Sequence, residues 1–120
     1  MGSRVVWRLK DMKQAISDIR LVLADKSLPA LRNDRYTQAA FERFLERLSE
    51  ASRHVPEAWK ADFAQIPWRQ VSDLGNFIRH GYDKVDHEVL SSIYENDLDA
   101  LEHVVDALTE RASHPEKPKQ

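Results

Sequence analysis

The chain contains no cysteine, so disulfides, thiolate nucleophiles and cysteine-held zinc or iron–sulfur centres are excluded, and this residue carries no information on redox compartment. Its three glycines stand at positions 2, 75 and 81, too scattered for the glycine-rich loops that cradle nucleotide phosphates. A Ser-His-Asp or nucleophile-elbow pattern is also missing. No apolar run approaches the roughly 20 residues that span a bilayer, and the N-terminus lacks the basic-then-apolar layout of a secretory leader. A cytoplasmic protein with no membrane contact is the expectation. Neither charge dominates. Eighteen basic and 20 acidic residues leave a formal net charge of −2, so attraction to nucleic acid has to come from a local patch.

What is present reads as helix. With few glycines and prolines to interrupt it, a chain of 120 residues has room for one core and not for two. Val5, Leu9, Met12, Ile16, Ile19 and Leu23 step by four and three, which aligns them on one face of a first amphipathic helix. A connection through Pro29 follows, and Asn33 or Asp34 is the N-cap candidate for a second helix carrying Phe41, Phe44, Leu48, Ala51 and Val55. Pro56 ends that helix or opens the next turn. Trp59 and Phe63 are expected to fold back onto the bundle in a short helical turn. Pro67 suits the first turn of a helix from Trp68 to Arg79 or His80, with Gly81 as its exit.

Asp86 caps a further expected helix through Tyr94, and Asn96 or Asp97 caps the last, whose stripe is Leu98, Leu101, Val105, Leu108 and Ala112. The expected architecture is an all-α, up-and-down antiparallel bundle of four to five helices over residues 1–113, with a disordered polar tail over 114–120.

On the helix that opens at Trp68, Val71, Leu74 and Ile78 face the core, with Phe77 at the edge of that side. Arg69, Ser72, Asp73, Asn76, Arg79 and His80 gather in an arc on the opposite side. Most such arcs are simply solvated faces. The C-terminal end of this one is different in chemistry. Asn76 and His80 are one turn apart with Arg79 beside both, ahead of Gly81 and Tyr82. An imidazole titrates near neutral pH and moves protons, a guanidinium offers a planar fork to phosphate oxygens, and an amide or a phenol can orient or accept a group. Arg69 and Arg79 are the candidate phosphate-binding groups. His54, His87, His103 and His114 have no partner at metal-ligand spacing and read as surface residues, so no metal or cofactor site is expected. Trp7, Trp59 and Trp68 read as core or dimer-interface anchors ahead of base-stacking platforms.

The stretch from Trp68 to Asp86, WRQVSDLGNFIRHGYDKVD, resembles the centre of the HepT-like ribonuclease toxins of the HEPN superfamily. Their hallmark is an arginine, four to six residues, a histidine, one residue and a tyrosine. His80-Gly81-Tyr82 matches its second half, and Asn76 stands where the family has asparagine after the arginine. Ser49-Glu50-Ala51-Ser52-Arg53 with Val55-Pro56, Ile66-Pro67-Trp68, and Asp97-Leu98-Asp99-Ala100-Leu101 extend the likeness over most of the chain. One position departs: Gly75, five residues before His80, stands where the family's arginine is. Arg79 is the residue placed to substitute for it.

The resemblance implies a homodimeric, metal-independent endoribonuclease with the motif helices lining a shared cleft. In it, His80 is the acid/base, Arg79 the phosphate-stabilising group and Asn76 the orienting group. It also implies an MntA-type nucleotidyltransferase antitoxin as partner, which adds AMP to the motif tyrosine, here Tyr82. The competing expectation, which Gly75 favours, is a catalytically silent helical subunit that binds such a nucleotidyltransferase.

Overall fold

The computed structural model describes residues 2–24, 34–80 and 96–114. These form five α-helices and no strand: α1 (Gly2–Val22), α2 (Arg35–Ser52), α3 (Glu57–Ala61), α4 (Trp68–Arg79) and α5 (Leu98–Ser113). The expected helix from Asp86 to Tyr94 and the tail beyond His114 lie outside the described residues.

Local chemistry explains the helix boundaries. Asp34 caps α2, its Oδ1 accepting the Thr37 backbone N–H at 3.1 Å while Oδ2 accepts the Thr37 hydroxyl at 2.7 Å, a contact of a kind that stabilises by about 1 kcal/mol. At its other end α2 stops at Ser52, three residues earlier than the apolar stripe suggests. Val55 precedes Pro56, a position where proline disfavours helical backbone. It is nevertheless buried, reached by a turn in which its N–H bonds to the Ser52 carbonyl. Pro56 then sits at the N-cap of α3 and Pro67 at that of α4, one residue outside the first turn expected for it. Asp97 occupies the N-cap position of α5, yet its side chain makes no capping bond, and burial pushes its carboxyl pKa up.

The helices pack in the order α5–α1–α2–α4. Ion pairs give the sense of the first contact: Lys13 meets Glu102 and Asp106, while Arg20, two turns further on, meets Asp99 and Glu102. α1 and α5 are therefore antiparallel. So are α2 and α4, where Ser49 touches Gly75 and Arg53 touches Ser72. The expected stripes form the core, with Leu9, Met12, Ile16, Ile19, Leu48, Leu101, Val105 and Leu108 fully buried. Each such side chain contributes about 1.5–3 kcal/mol. Leu45 and Val104 join them, because the buried stripe of a helix packed on more than one neighbour is wider than a three-four repeat.

α3 folds back as expected. Arg111 of α5 lies over Trp59 and Phe63 and pairs with Asp62 at 3.0 Å. Trp68 Nε1 donates to the Phe63 carbonyl at 3.1 Å.

Of the two places expected for Trp7, core or dimer interface, the core is excluded: it is 64% exposed beneath the Lys10 ammonium. About 200° of helical rotation separates it from the centre of the α1 stripe. Phe77, placed at the edge of the core, is 53% exposed, since one further residue of rotation from Asn76 does not carry it back under α2.

The α1–α5 ion pairs predict a pH response. Hydrogen bonds from Arg20 and then Lys13 hold the Glu102 carboxyl below its ordinary value. A depressed acid stabilises the fold above its unfolded pKa, and that stability is lost as pH falls through the folded value. Because the partners are substantially solvent-exposed, the effect is of the order of 1 kcal/mol or less. Chemical denaturation at pH 7 and at pH 3 is expected to show a larger loss of stability on acidification for the wild type than for Glu102→Gln; equal losses would contradict the assignment.

Candidate active site

α4 is positioned by two small residues. Gly75 is buried against α2, and its backbone N–H donates to the Ser49 hydroxyl at 3.0 Å. That hydroxyl in turn donates to the Ser72 carbonyl at 2.8 Å. Arg53 adds bonds to the same carbonyl from Nε at 3.2 Å and Nη2 at 3.1 Å. One serine oxygen thus bridges two backbone groups a turn apart, which fixes the rotation and height of α4 on α2. The absence of a side chain at 75 eases this close approach. A β-carbon there would stand 3.2 Å from Ser49 Oγ.

Arg79 reaches back alongside Gly75. Its Nη1 lies 3.7 Å from where a residue-75 β-carbon would be, an ordinary contact distance, and its Nη2 donates to Asn76 Oδ1 at 2.8 Å. Asn76 acts on the guanidinium: its amide oxygen is the acceptor that holds the fork. His80 is the C-cap of α4, exposed, with its backbone N–H bonded to the Asn76 carbonyl at 3.1 Å. Asn76, Arg79 and His80 are thus held together at one helix end, and all three side chains are exposed.

Other expected residues fall elsewhere. Arg69 is ten residues from Arg79, about 15 Å along the helix axis, and lines a separate hollow with Glu57, Lys60, Ile66, Trp68 and Ser72. Tyr82 and His87 lie outside the described residues. His54, His103 and His114 are exposed, and His54 and His114 pair with Glu50 and Glu110 one turn back. Among the described residues no group of three or more His, Asp and Glu is arranged to hold a metal, and no helix is long and apolar enough to cross a membrane. Sequence reasoning missed Ser49 and Arg53 as supports of the site. Spacing within one helix carries no signal of a hydrogen bond made to another.

Ser49 and Gly75 are expected to be energetically coupled. In isolation a helical Gly→Ala change stabilises by about 1 kcal/mol. Here it must displace a hydroxyl held by two hydrogen bonds, each of roughly 1 kcal/mol. Gly75→Ala is expected to destabilise the wild type by about 1 kcal/mol yet be neutral or stabilising in a Ser49→Ala background. A denaturation double-mutant cycle measures this, and additive effects would refute the contact.

A family model described as ribonuclease HepT-like matches residues 12–108, a span that includes α2, α3, α4 and most of α1 and α5. A probable ribonuclease HepT from Thermococcus cleftensis is 31% identical over 93 residues, 78% of this chain and 84% of its own length. Two putative RNases of Methanocaldococcus jannaschii are 27% and 26% identical, over 81% and 82% of this chain and 84% and 90% of theirs. No solved structure matches. With the matched span holding both the bundle core and the Asn76–Arg79–His80 helix end, the chain belongs to the HepT-like ribonuclease family.

Proposed function

We propose that this protein is a metal-independent endoribonuclease toxin acting as a homodimer, in which Arg79 replaces the arginine that the family places at position 75. The observation that carries this reading is the Arg79 head group lying 3.7 Å from the absent residue-75 β-carbon while Asn76 holds it at 2.8 Å. A glycine lost by decay would leave that space without a designated occupant. Here the neighbouring turn sets a guanidinium beside it.

The chemistry follows from the residue types. The ribose 2′-hydroxyl attacks the adjacent phosphorus, forming the new O–P bond as the bond to the 5′-oxygen breaks. His80 takes the 2′-hydroxyl proton, and a proton is returned to the departing 5′-oxygen, leaving a 2′,3′-cyclic phosphate and a 5′-hydroxyl. Arg79 faces the negative charge that grows on the non-bridging oxygens, where a fixed donor is worth more in the transition state than in the ground state. Asn76 holds the guanidinium in place, so its fork need not be ordered when substrate arrives. Arg69, at the far end of α4, serves a phosphate remote from the scissile one.

Regulation runs through Tyr82, two residues beyond His80. An MntA-type nucleotidyltransferase partner transfers AMP to its hydroxyl, and the added bulk and negative charge exclude RNA from the helix end. The alternative reading, a silent subunit that binds the nucleotidyltransferase, is favoured by Gly75 alone.

Purified protein is expected to cleave RNA in the presence of a chelator. His80→Ala should lower the rate by about 10²–10⁴-fold and Arg79→Ala by about 10²–10³-fold, with thermal melts unchanged. Equal inertness of wild type and variants on varied RNAs would transfer the assignment to the silent subunit. Co-expression with an MntA-type nucleotidyltransferase is expected to add one AMP to the wild type and none to Tyr82→Phe by intact mass; an unmodified wild type would remove the regulatory claim.

A further inference from the structure

α1, α2 and the end of α4 enclose a cleft of about 480 Å³ lined by Arg8, Asp11, Arg43, Glu46, Arg47, Glu50 and Arg79 among others. Four guanidiniums face three carboxylates there, and the pairing decides which charge is left over. Glu46 is engaged by Arg43 at 3.8 Å and Glu50 by His54 at 3.2 Å. Among the described residues Arg79 meets the neutral Asn76 amide oxygen and no carboxylate. Arg8 and Arg47 have no ion pair or side-chain hydrogen bond among the described residues, and neither does Asp11. With Arg43 and Glu46 paired, three guanidiniums stand against the carboxylates of Asp11 and Glu50, an excess of one positive charge in a protein whose total charge is slightly negative. The arginine of the candidate active site is among the residues that line the cleft.

We infer that this cleft is a track for the phosphodiester backbone of single-stranded RNA, with Arg8 and Arg47 binding phosphates next to the one held by Arg79. The choice of ligand rests on the ribonuclease reading; the existence of a basic cleft does not. Planar forks suit phosphate oxygens. A track on two helices also separates binding from chemistry: Arg8 and Arg47 are positioning residues that hold the strand while Arg79 and His80 act on it. The Arg43–Glu46 pair lessens the repulsion between one of the cleft's carboxylates and the strand.

The test measures binding and cleavage separately. A 2′-O-methyl oligoribonucleotide lacks the attacking hydroxyl, so its Kd reports association alone. Each phosphate contact with a single strand contributes about 0.7 to the slope of log K against log salt concentration. Three contacts predict that a tenfold rise in salt weakens wild-type binding about a hundredfold, and the Arg8→Gln/Arg47→Gln double variant only about fivefold.

Parallel cleavage of unmodified RNA distinguishes the two claims. If wild type binds with the steep slope but does not cut, the track stands and the catalytic reading fails. If wild type cuts RNA but the double variant keeps the wild-type slope, the track is overturned while the nuclease stands. A double variant that leaves the RNA slope unchanged and loses self-association by sedimentation would assign the cleft to a second copy of the chain, and would also overturn the track. Thermal melts of the double variant should match wild type, since among the described residues neither arginine has an intramolecular partner to lose.

Discussion

The placement of the site depends on one oxygen atom. Ser49 Oγ accepts from the Gly75 N–H and donates to the Ser72 carbonyl, and a β-carbon at residue 75 would lie 3.2 Å from it, close enough that the hydroxyl would have to give by a few tenths of an ångström. A buried hydroxyl that satisfies both a donor and an acceptor is costly to disturb, because any shift leaves a polar group unpaired in a region water does not reach. Arg53 reinforces the same carbonyl from the α2 C-terminus. The last turn of α4 therefore has little freedom to rotate, and the directions of Asn76, Arg79 and His80 follow from it.

Precision of this kind is needed where a guanidinium must meet charge that exists only in the transition state. Donors fixed in advance need no reorganisation as the reaction proceeds. The Asn76–Arg79 bond extends the same economy from backbone to side chain. Gly75 allows the tight helix contact, with the Arg79 guanidinium lying alongside it. The remainder of the bundle is a conventional scaffold. α5 is bound to α1 by buried leucines and valines and by the Lys13 and Arg20 ion pairs, and among the described residues every buried side-chain polar atom has a hydrogen-bond partner.

Charge is organised locally where composition shows none. A net charge of −2 describes the chain, but carboxylates and guanidiniums are sorted by pairing. On the α1–α5 face Lys13 and Arg20 are matched by Asp99, Glu102 and Asp106. Along the α1–α2 cleft Glu46 pairs with Arg43, and the guanidiniums of Arg8, Arg47 and Arg79 outnumber the carboxylates of Asp11 and Glu50. Screening shortens the reach of any surface charge to about 10 Å, so what a strand would sense is this local remainder and not the total.

Hydrophobic spacing was enough to read the helices, because one period of 3.6 residues governs both the sequence pattern and the buried face. It placed the α1 and α5 stripes, the Asp34 cap and the polar helix end with Asn76, Arg79 and His80, and the family likeness rests on the same residues. Its errors have a common origin. Val55 lies past the end of its helix, Trp7 and Phe77 face outward, and Leu45 and Val104 face inward, each decided by which neighbour covers the position. Ser49 as clamp and the unpaired arginines of the cleft emerged only from the tertiary structure. Those relations join residues of different helices. A linear pattern records the face on which a residue lies, whereas the atom it meets is set by how closely two helices approach.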